Sequence, residues 1–336
     1  MSQDKAEVPM KNRVHLFLRA APTPMAGLAL GLASLGWCWE SFAPLHGIAQ
    51  ASAAGIAGVL LLVLAAKFLH HPDLLRTELA HPVIGSVVPT FTMAMMVVSK
   101  AIGLIGTTPA LALWLLAVAL HVLFLVAFTW HRLRDFRLHH MVPTWFVPPV
   151  GLIVADVTFP GGTWLMPLAQ GVLHFGMAVY AVILPLMIYR LIFADHVPDS
   201  AKPTIAILAA PASLSLAGYL TVVGHPDPVI VALLGGIAVL MTVVIYLAFF
   251  HLLTLPFSPG YAAFTFPMVI GVTALVKLAD WMETVGMTRE SIAPIRLLSD
   301  IELSIATVMV AYVALRYLWY FMPRLMESVR VQPSEV

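Results

Sequence analysis

The sequence places a phenylalanine directly before a proline, inside a stretch apolar enough to cross a bilayer. Residues 258–277 read SPGYAAFTFPMVIGVTALVK, and Phe266 is followed by Pro267. Proline removes a backbone donor and disfavours helical geometry at the preceding residue, so the Phe266 ring can project toward a central axis. An aromatic ring in a narrow apolar passage can act as a dewetting gate. The pattern indicates a pore gate, and packing against lipid or protein is the alternative role.

Charged residues around this candidate pore lie near the ends of the apolar stretches. Glu40, Lys100 and Lys277 each fall 18 residues after the proline that opens their stretch. The middle turns of these stretches hold no Asp or Glu, so the carboxylate ring of a cation pore is not indicated. Lys100 and Lys277 at the pore mouth favour anions. Paired or snorkelling end charges are the alternative, with Asp156 as a candidate partner of one lysine.

Metal chemistry and covalent catalysis are not indicated by the sequence. Cys38 is the single cysteine, and the 13 histidines show no ligand-type spacing for a metal or haem. P-loop, Gly-x-Ser-x-Gly and His-Glu-x-x-His patterns are absent. We therefore predict no enzymatic activity and no cofactor. The net charge of +1 gives no case for a nucleic-acid partner.

The composition requires a bilayer as the solvent of the fold. Hydrophobic residues make up 60% of the 336 and charged residues 10%, with a mean hydropathy of +0.93. A soluble domain carries about 25% charged residues. A membrane helix needs about 20 apolar residues. The apolar runs predict ten spans, at about 22–39, 46–69, 83–105, 109–129, 144–159, 163–193, 203–223, 228–254, 260–282 and 294–320.

The distribution of Lys and Arg predicts the orientation of these spans. With the amino terminus inside, fourteen of the 18 Lys and Arg residues face the cytoplasm and four face outward, as the positive-inside rule requires. The eight tryptophans lie at or near span ends, where interfacial aromatic residues are enriched. We predict a multi-pass protein of the plasma (inner) membrane, with a cytoplasmic tail at 1–20, a ten-helix domain at 21–322 and a second cytoplasmic tail at 323–336.

The odd-numbered spans share a proline pattern. Their opening prolines are 60, 61, 60 and 56 residues apart, at positions 22, 82, 143, 203 and 259. Four of these spans carry deeper prolines, and the first has Gly27 and Gly31 instead. Chance is the weaker explanation, because position within the span recurs as well as period. The predicted pore-helix kinks are Pro89, Pro149, Pro211 and Pro267, with Pro148 adjacent to Pro149.

This repeat predicts an all-α membrane fold of five helical hairpins in one orientation. Such units close into a quasi-fivefold ring around a central pore, with odd helices inside and even helices facing lipid. Unwound turns are tolerated at membrane depth where protein or a water-filled cavity satisfies the freed backbone groups. The small residues of the odd spans are explained equally by a pore wall and by close helix packing.

Three motifs resemble the tellurite-resistance/C4-dicarboxylate transporter family, which includes bacterial TehA-type channels and plant guard-cell slow anion channels. They are PTPMAGLALGLASLGW in the first span, RTELAHPV before the third and AFTFP in the ninth. The resemblance covers Pro22 to about Phe321. It implies a homotrimer in which each protomer conducts small monovalent anions, such as chloride and nitrate, through its own pore. It also implies that Phe266 is the occluding gate.

The sequence therefore favours an anion channel gated by Phe266. A secondary transporter or exporter of C4-dicarboxylates or tellurite-type oxyanions is the alternative. A dianion site would call for convergent Arg or Lys at the membrane midplane, and the sequence offers none. A haem-bearing electron carrier is the weakest hypothesis.

Overall fold

The computed structural model describes residues 10–194 and 196–330, with side chains over 15–194 and 196–321. This part of the chain consists of helices and connecting turns, without a β-strand. The α-helices are α1 Met10–Ala20, α2 Met25–Trp39, α3 Ile48–His70, α4 Pro72–Ala80, α5 Ile84–Val87, α6 Thr90–Ile102, α7 Thr107–Arg134, α8 Val147–Val150, α9 Val154–Val157, α10 Met166–Phe193, α11 Ala210–Val222, α12 Pro228–Leu252, α13 Phe266–Thr284 and α14 Arg289–Arg330.

Short 3₁₀ helices precede several of these elements. The tighter 3₁₀ winding is common in short pieces at the ends of α-helices. These segments are Leu138–His140, Pro143–Phe146, Gly151–Ile153, Thr163–Leu165, Lys202–Ala209 and Pro259–Phe264.

Eight helices in the described residues are long and apolar enough to cross a membrane, against the ten spans predicted. The predicted first and fifth spans are shorter apolar helical segments, Met25–Trp39 and Pro143–Val157. The fifth is divided into four short helical pieces because Pro143, Pro148 and Pro149 each remove a backbone donor. The chain is thus a multi-pass membrane protein built entirely from helices over its described part.

The segments that carry the recurring deep prolines are the buried ones. In the segments 84–102, 202–222 and 259–284, between 67 and 78% of the residues in the apolar window are buried. The long helices α3, α7, α10, α12 and α14 have 28 to 39% of theirs buried. We call the buried set, completed by α2 and 143–157, the five proline segments. The long helices present exposed Leu, Val, Ile and Phe side chains to the surroundings, as a lipid-facing surface requires.

Contacts link the five proline segments to one another. The helix α2 packs against α6, α6 against α9, α9 against α11, and α11 against α13. The helix α13 packs against α2. Each segment also packs against the long helix that follows it in the chain.

The deep prolines begin helices instead of interrupting them. Pro211 and Pro267 lie in the first turns of α11 and α13, and Pro89 is the residue that precedes α6. At these positions the missing backbone N–H has no helical partner to lose, so the cost of proline is small. Pro149 lies within the four-residue α8. The expected kinks in continuous helices are therefore breaks between consecutive short helices.

The ends of the described chain are helical. The helix α1 packs against α3 and α14, so residues 10–20 of the expected polar tail form a structured element beside the membrane helices. The helix α14 extends to Arg330, past the boundary at 322 expected for the membrane domain. Residues 1–9 and 331–336 of the two expected tails lie outside the described residues.

Candidate pore and its constriction at Phe266

A cavity of about 770 Å³ opens where the five proline segments begin. We call this side of the molecule the entrance face and the opposite side the far face. All five segments contribute to the wall, which is apolar over most of its depth. The residues furthest along each segment that still line it are Leu30, Met93, Gly151, Leu214 and Pro267.

Phe266 stands between this cavity and a second, much smaller one. The second cavity is about 10 Å³ in volume. Phe266 and Leu214 are the two residues that line both cavities. The Phe266 residue is 7% exposed. Leu214 is the contribution of the segment 202–222, and the other four segments supply Ser34, Trp37, Val97, Val154, Val157, Thr158, Ile270 and Thr273.

The backbone break beside Phe266 falls at Thr265, one residue earlier than the position we expected. Phe266 is already the first residue of α13, while Thr265 has φ −97° and ψ −81°. The Thr265 carbonyl accepts hydrogen bonds from the backbone N–H groups of Met268, at 3.1 Å, and Val269, at 3.4 Å. These bonds make Thr265 the N-terminal cap of α13, so Phe266 is held as the first residue of a regular helix.

A close approach of α2 fixes this break in space. The Thr265 hydroxyl lies within hydrogen-bond distance of the carbonyls of Gly27, at 3.0 Å, and Ala262, at 2.7 Å. A Cβ atom on Gly31 would lie 2.4 Å from both Cβ and Oγ1 of Thr265. Real side chains do not tolerate such a distance, so only glycine fits at position 31. Gly31 therefore serves close packing, while Gly27 contacts Ala262 and also lines the large cavity.

The predicted proline sites take different places around the cavity. Pro211 and Pro267 line it directly. Pro89 and Pro149 do not, and they act on its shape through the helices that they start or shorten. Pro89, Pro211 and Pro267 lie at a junction between two helical pieces of a proline segment, and Pro149 lies inside the short α8.

A histidine outside the proline segments supports the break in the fifth predicted span. His121, on α7, is fully buried, and its Nε2 lies 2.8 Å from the Pro148 carbonyl oxygen. A carbonyl can only accept, so Nε2 carries a proton that it donates. The Nδ1 atom lies 2.8 Å from the Thr92 hydroxyl on α6. His121 thus ties α6 to a carbonyl beside the paired prolines, which is the partner such an irregular backbone requires.

Two lysines lie toward the far face. The Lys100 Nζ atom is 5.6 Å from the ring centroid of Trp37, whose residue lines the small cavity. Lys277 follows Thr273 by one helical turn and lies within electrostatic range of Lys100. In the part of the chain with described side chains, neither lysine forms an ion pair with a carboxylate.

The expected pairing of Asp156 with one of these lysines is wrong. Asp156 is fully buried in α9, and neither carboxylate oxygen has a hydrogen-bond partner among the described residues. Its Cβ atom is 3.3 Å from the position that a Cβ on Gly218 would take. The Cβ atom of Asp156 therefore faces α11, and its carboxylate pairs with neither lysine among the described residues.

The entrance face carries a small excess of positive charge. Arg19, Lys67 and Glu78 line the large cavity, and Glu78 is the single carboxylate among the described residues of its wall. The Lys67 Nζ atom lies 2.6 Å from Glu78 Oε1 and 3.0 Å from the Thr23 hydroxyl. This pair joins α3 and α4 to the start of the first proline segment. Because the charges of Lys67 and Glu78 cancel, Arg19 supplies the net positive charge of the described cavity wall.

His81 also lines the entrance and holds the backbone there. Its Nδ1 atom accepts hydrogen bonds from the backbone N–H groups of Val83, at 3.2 Å, and Ile84, at 3.1 Å. Burial, followed by the nearby Arg132 charge, lowers the pKa of the His81 imidazole from its ordinary value. The neutral form that can accept these two bonds is thereby favoured.

An apolar helical body, lipid-facing outer helices and two cavities in line define a membrane protein of the transport class. The chain belongs to the SLAC1 family, described as voltage-dependent anion channel, whose family model matches residues 20–318. This confirms the family resemblance of the three sequence motifs. The family is one of channels and transporters.

Two curated proteins of Methanocaldococcus jannaschii are similar to the chain. Each is described as an uncharacterized transporter. One is 26% identical over 243 residues, which is 64% of this chain and 70% of the relative. The other is 25% identical over 243 residues, covering 62% of this chain and 67% of the relative.

Several residues of the site were missed by sequence reasoning. Helical spacing gave a signal for two of them: Ser34 follows Gly27 by seven residues, and Thr273 follows Phe266 by seven, so each pair shares a helix face. No sequence signal marks the others, because their partners lie on other helices. These are Thr23, Lys67, Glu78, His121 and Thr158.

Proposed function

We propose that the protein is a channel for small monovalent anions such as chloride and nitrate. In this proposal the five proline segments and their long helices form a ring of five hairpins around a central pore. The supporting observation is that the same five segments line both cavities, with Phe266 between them. The chain of contacts that returns from α13 to α2 agrees with this arrangement.

The charges favour anions along this path. One carboxylate, paired with Lys67, lies in the described wall of the large cavity, and none lies in the wall of the small one. Lys100 and Lys277 stand near the far end, and neither forms an ion pair with a carboxylate among the described side chains. An ion that binds weakly and at few sites can leave as readily as it enters, which suits fast conduction.

Phe266 is the gate in this proposal. Its ring and Leu214 separate the cavities, and removing the ring would join them into one apolar passage. Neighbouring Phe264 is fully buried against Phe249 and Tyr261 and lines neither cavity. The two phenylalanines, two residues apart, therefore offer a matched comparison.

The test is current under voltage clamp in a planar bilayer, with wild type, Phe266→Ala and Phe264→Ala in chloride and then nitrate. We expect the chloride conductance of Phe266→Ala to exceed that of wild type by about tenfold or more, equivalent to a barrier lowered by ~1.4 kcal/mol. Phe264→Ala should stay at the wild-type level. Size-exclusion elution identifies the folded samples. Near-zero current in folded Phe266→Ala would remove the channel hypothesis.

A coupled secondary transporter of C4-dicarboxylates or tellurite-type oxyanions is the second candidate. Asp156 favours it, because a buried carboxylate without a partner is costly as an ion and can carry a proton through the membrane. The similar archaeal proteins are also described as transporters. Flux that saturates with substrate and stops when the proton gradient is collapsed would support this candidate over the channel.

Orientation and assembly complete the proposal. The entrance face is cytoplasmic, since fourteen of 18 Lys and Arg residues would then lie inside. The protein lies in the plasma (inner) membrane. It assembles as a homotrimer with one pore in each protomer, as the family resemblance implies.

A further inference from the structure

The small cavity beyond Phe266 carries three hydroxyl groups. Ser34 comes from α2, Thr158 follows α9, and Thr273 lies on α13. The other groups that line it are aliphatic or aromatic. A hydroxyl can donate one proton, so the present use of each proton decides what the cavity can bind.

Two of the three hydroxyl protons are already used. The Thr158 hydroxyl donates to the Val154 carbonyl at 2.7 Å and accepts from Trp114 Nε1 at 3.2 Å. The Thr273 hydroxyl donates to the Val269 carbonyl at 3.2 Å. The two donated bonds stay within a helix or at its end, and neither hydroxyl keeps a proton for a ligand.

The Ser34 hydroxyl has a free proton. Ser34 is 6% exposed, and its Oγ atom has no hydrogen-bond partner among the described residues. Serine in a helix commonly donates to a carbonyl three or four residues earlier, and Ser34 does not. A buried donor left without an acceptor costs about 1–3 kcal/mol, so this position is stabilised by any acceptor that enters the cavity.

The surroundings select an anion as that acceptor. The described wall of the cavity holds no carboxylate. The Trp37 ring at its side lies 5.6 Å from the Lys100 ammonium, which adds positive potential. A volume of about 10 Å³ matches one water-sized group, so a larger ion fits only when the Phe266 ring moves aside.

We propose that the Ser34 hydroxyl forms a transient binding site for a partly dehydrated monovalent anion directly beyond Phe266. The inference rests on the proposed channel function and adds the donor that meets the ion as it passes the ring. An ion leaving the large cavity gives up water at the constriction, and Ser34 replaces one of the lost hydrogen bonds. The site is weak because one neutral donor supplies it, as conduction requires.

Single-channel conductance in the Phe266→Ala background tests this site. The chloride concentration that gives half-maximal conductance should rise by about tenfold in Phe266→Ala/Ser34→Ala, as loss of one hydrogen bond to a charged group predicts. Ser34→Thr keeps the hydroxyl and should restore the parent value. Ser215→Ala is the matched control, because Ser215 is fully buried, has no hydrogen-bond partner among the described residues and lines neither cavity. Equal half-maximal concentrations in the Ser34→Ala and parent channels would overturn the proposal.

A second measurement does not depend on current. Crystals of Phe266→Ala soaked in bromide should show an anomalous peak within hydrogen-bond distance of Ser34 Oγ, and the peak should be lost in Phe266→Ala/Ser34→Ala. A bromide peak at Ser34 in a protein that carries no current would support the Ser34 binding site and contradict the channel function. Chloride current without a bromide peak at Ser34 would support the channel function and contradict the Ser34 binding site.

Discussion

Gly31→Ala is expected to destabilise the protein at the break beside Phe266. The added Cβ would lie 2.4 Å from Thr265 Cβ, about 1.0 Å inside the 3.4 Å of an ordinary contact. Thr265 Cβ is bonded directly to the backbone, so the start of α13 must move with it. Overpacking costs ~1–3 kcal/mol, and this contact belongs at the upper end of that range. Alanine has a higher helix propensity than glycine, which offsets up to ~1 kcal/mol of this cost. The net loss in the free energy of unfolding is therefore about 2 kcal/mol.

Thermal unfolding in detergent, followed by tryptophan fluorescence, measures this loss. Gly55→Ala in α3 is the control, because a Cβ at Gly55 meets nothing within 4 Å, and it should unfold at or above the wild-type temperature. Thr265→Gly removes the opposing Cβ at a cap position where glycine is tolerated. The double variant Gly31→Ala/Thr265→Gly should therefore be more stable than the sum of its single changes predicts. Gly31→Ala as stable as Gly55→Ala, with no coupling to position 265, would refute the proposed packing.

Two further predictions concern charge at the two faces. In the Phe266→Ala background, Lys100→Gln and Lys277→Gln should each lower the chloride-to-sodium permeability ratio by about two- to threefold, because each removes a positive charge near the exit. Reversal potentials in a salt gradient report this ratio, and an unchanged ratio would place both lysines off the ion path. At the entrance, the pKa of His81 is lowered by burial and by Arg132, so the stability from its two accepted bonds is complete above about pH 6.5 and is lost as pH falls through the lower folded value. Between pH 7 and pH 5 the wild type should therefore lose more stability than His81→Asn, which retains the cap without titrating. Parallel pH profiles of the unfolding midpoint would contradict this role.

The sequence predicted the segments well because membrane helices and their prolines leave strong signals. The predicted sixth span, 163–193, has the same bounds as the helical segment in the structure, and most other bounds agree within three residues. The family was recognised from three short motifs and is confirmed. The ring of ten helices, the gating role of Phe266 and the roles of Lys100 and Lys277 stay predictions. What the structure adds for Phe266 is its place between two cavities.

The details that sequence could not supply depend on contacts between distant segments. Proline marks where a backbone hydrogen bond is missing. The helix break nevertheless falls at Thr265, because Gly31 on another helix leaves room for the Thr265 side chain. His121 is one of 13 histidines without ligand-type spacing, and its role follows from its contact with the Pro148 carbonyl. The expected pairing of Asp156 with a lysine used only its position along the span. Its position around the α9 helix axis instead places its Cβ atom against α11.

The contact between Thr265 and Gly27 also sets an order of events during synthesis. The two residues are 238 positions apart in the chain. Protein synthesis proceeds at about 5–20 residues per second. The segment that covers the glycine face of α2 is therefore completed roughly 10–50 s after that face has been made. The separation between the two cavities is therefore among the last features to form, and a ribosome halted before α13 leaves behind a membrane protein without its constriction.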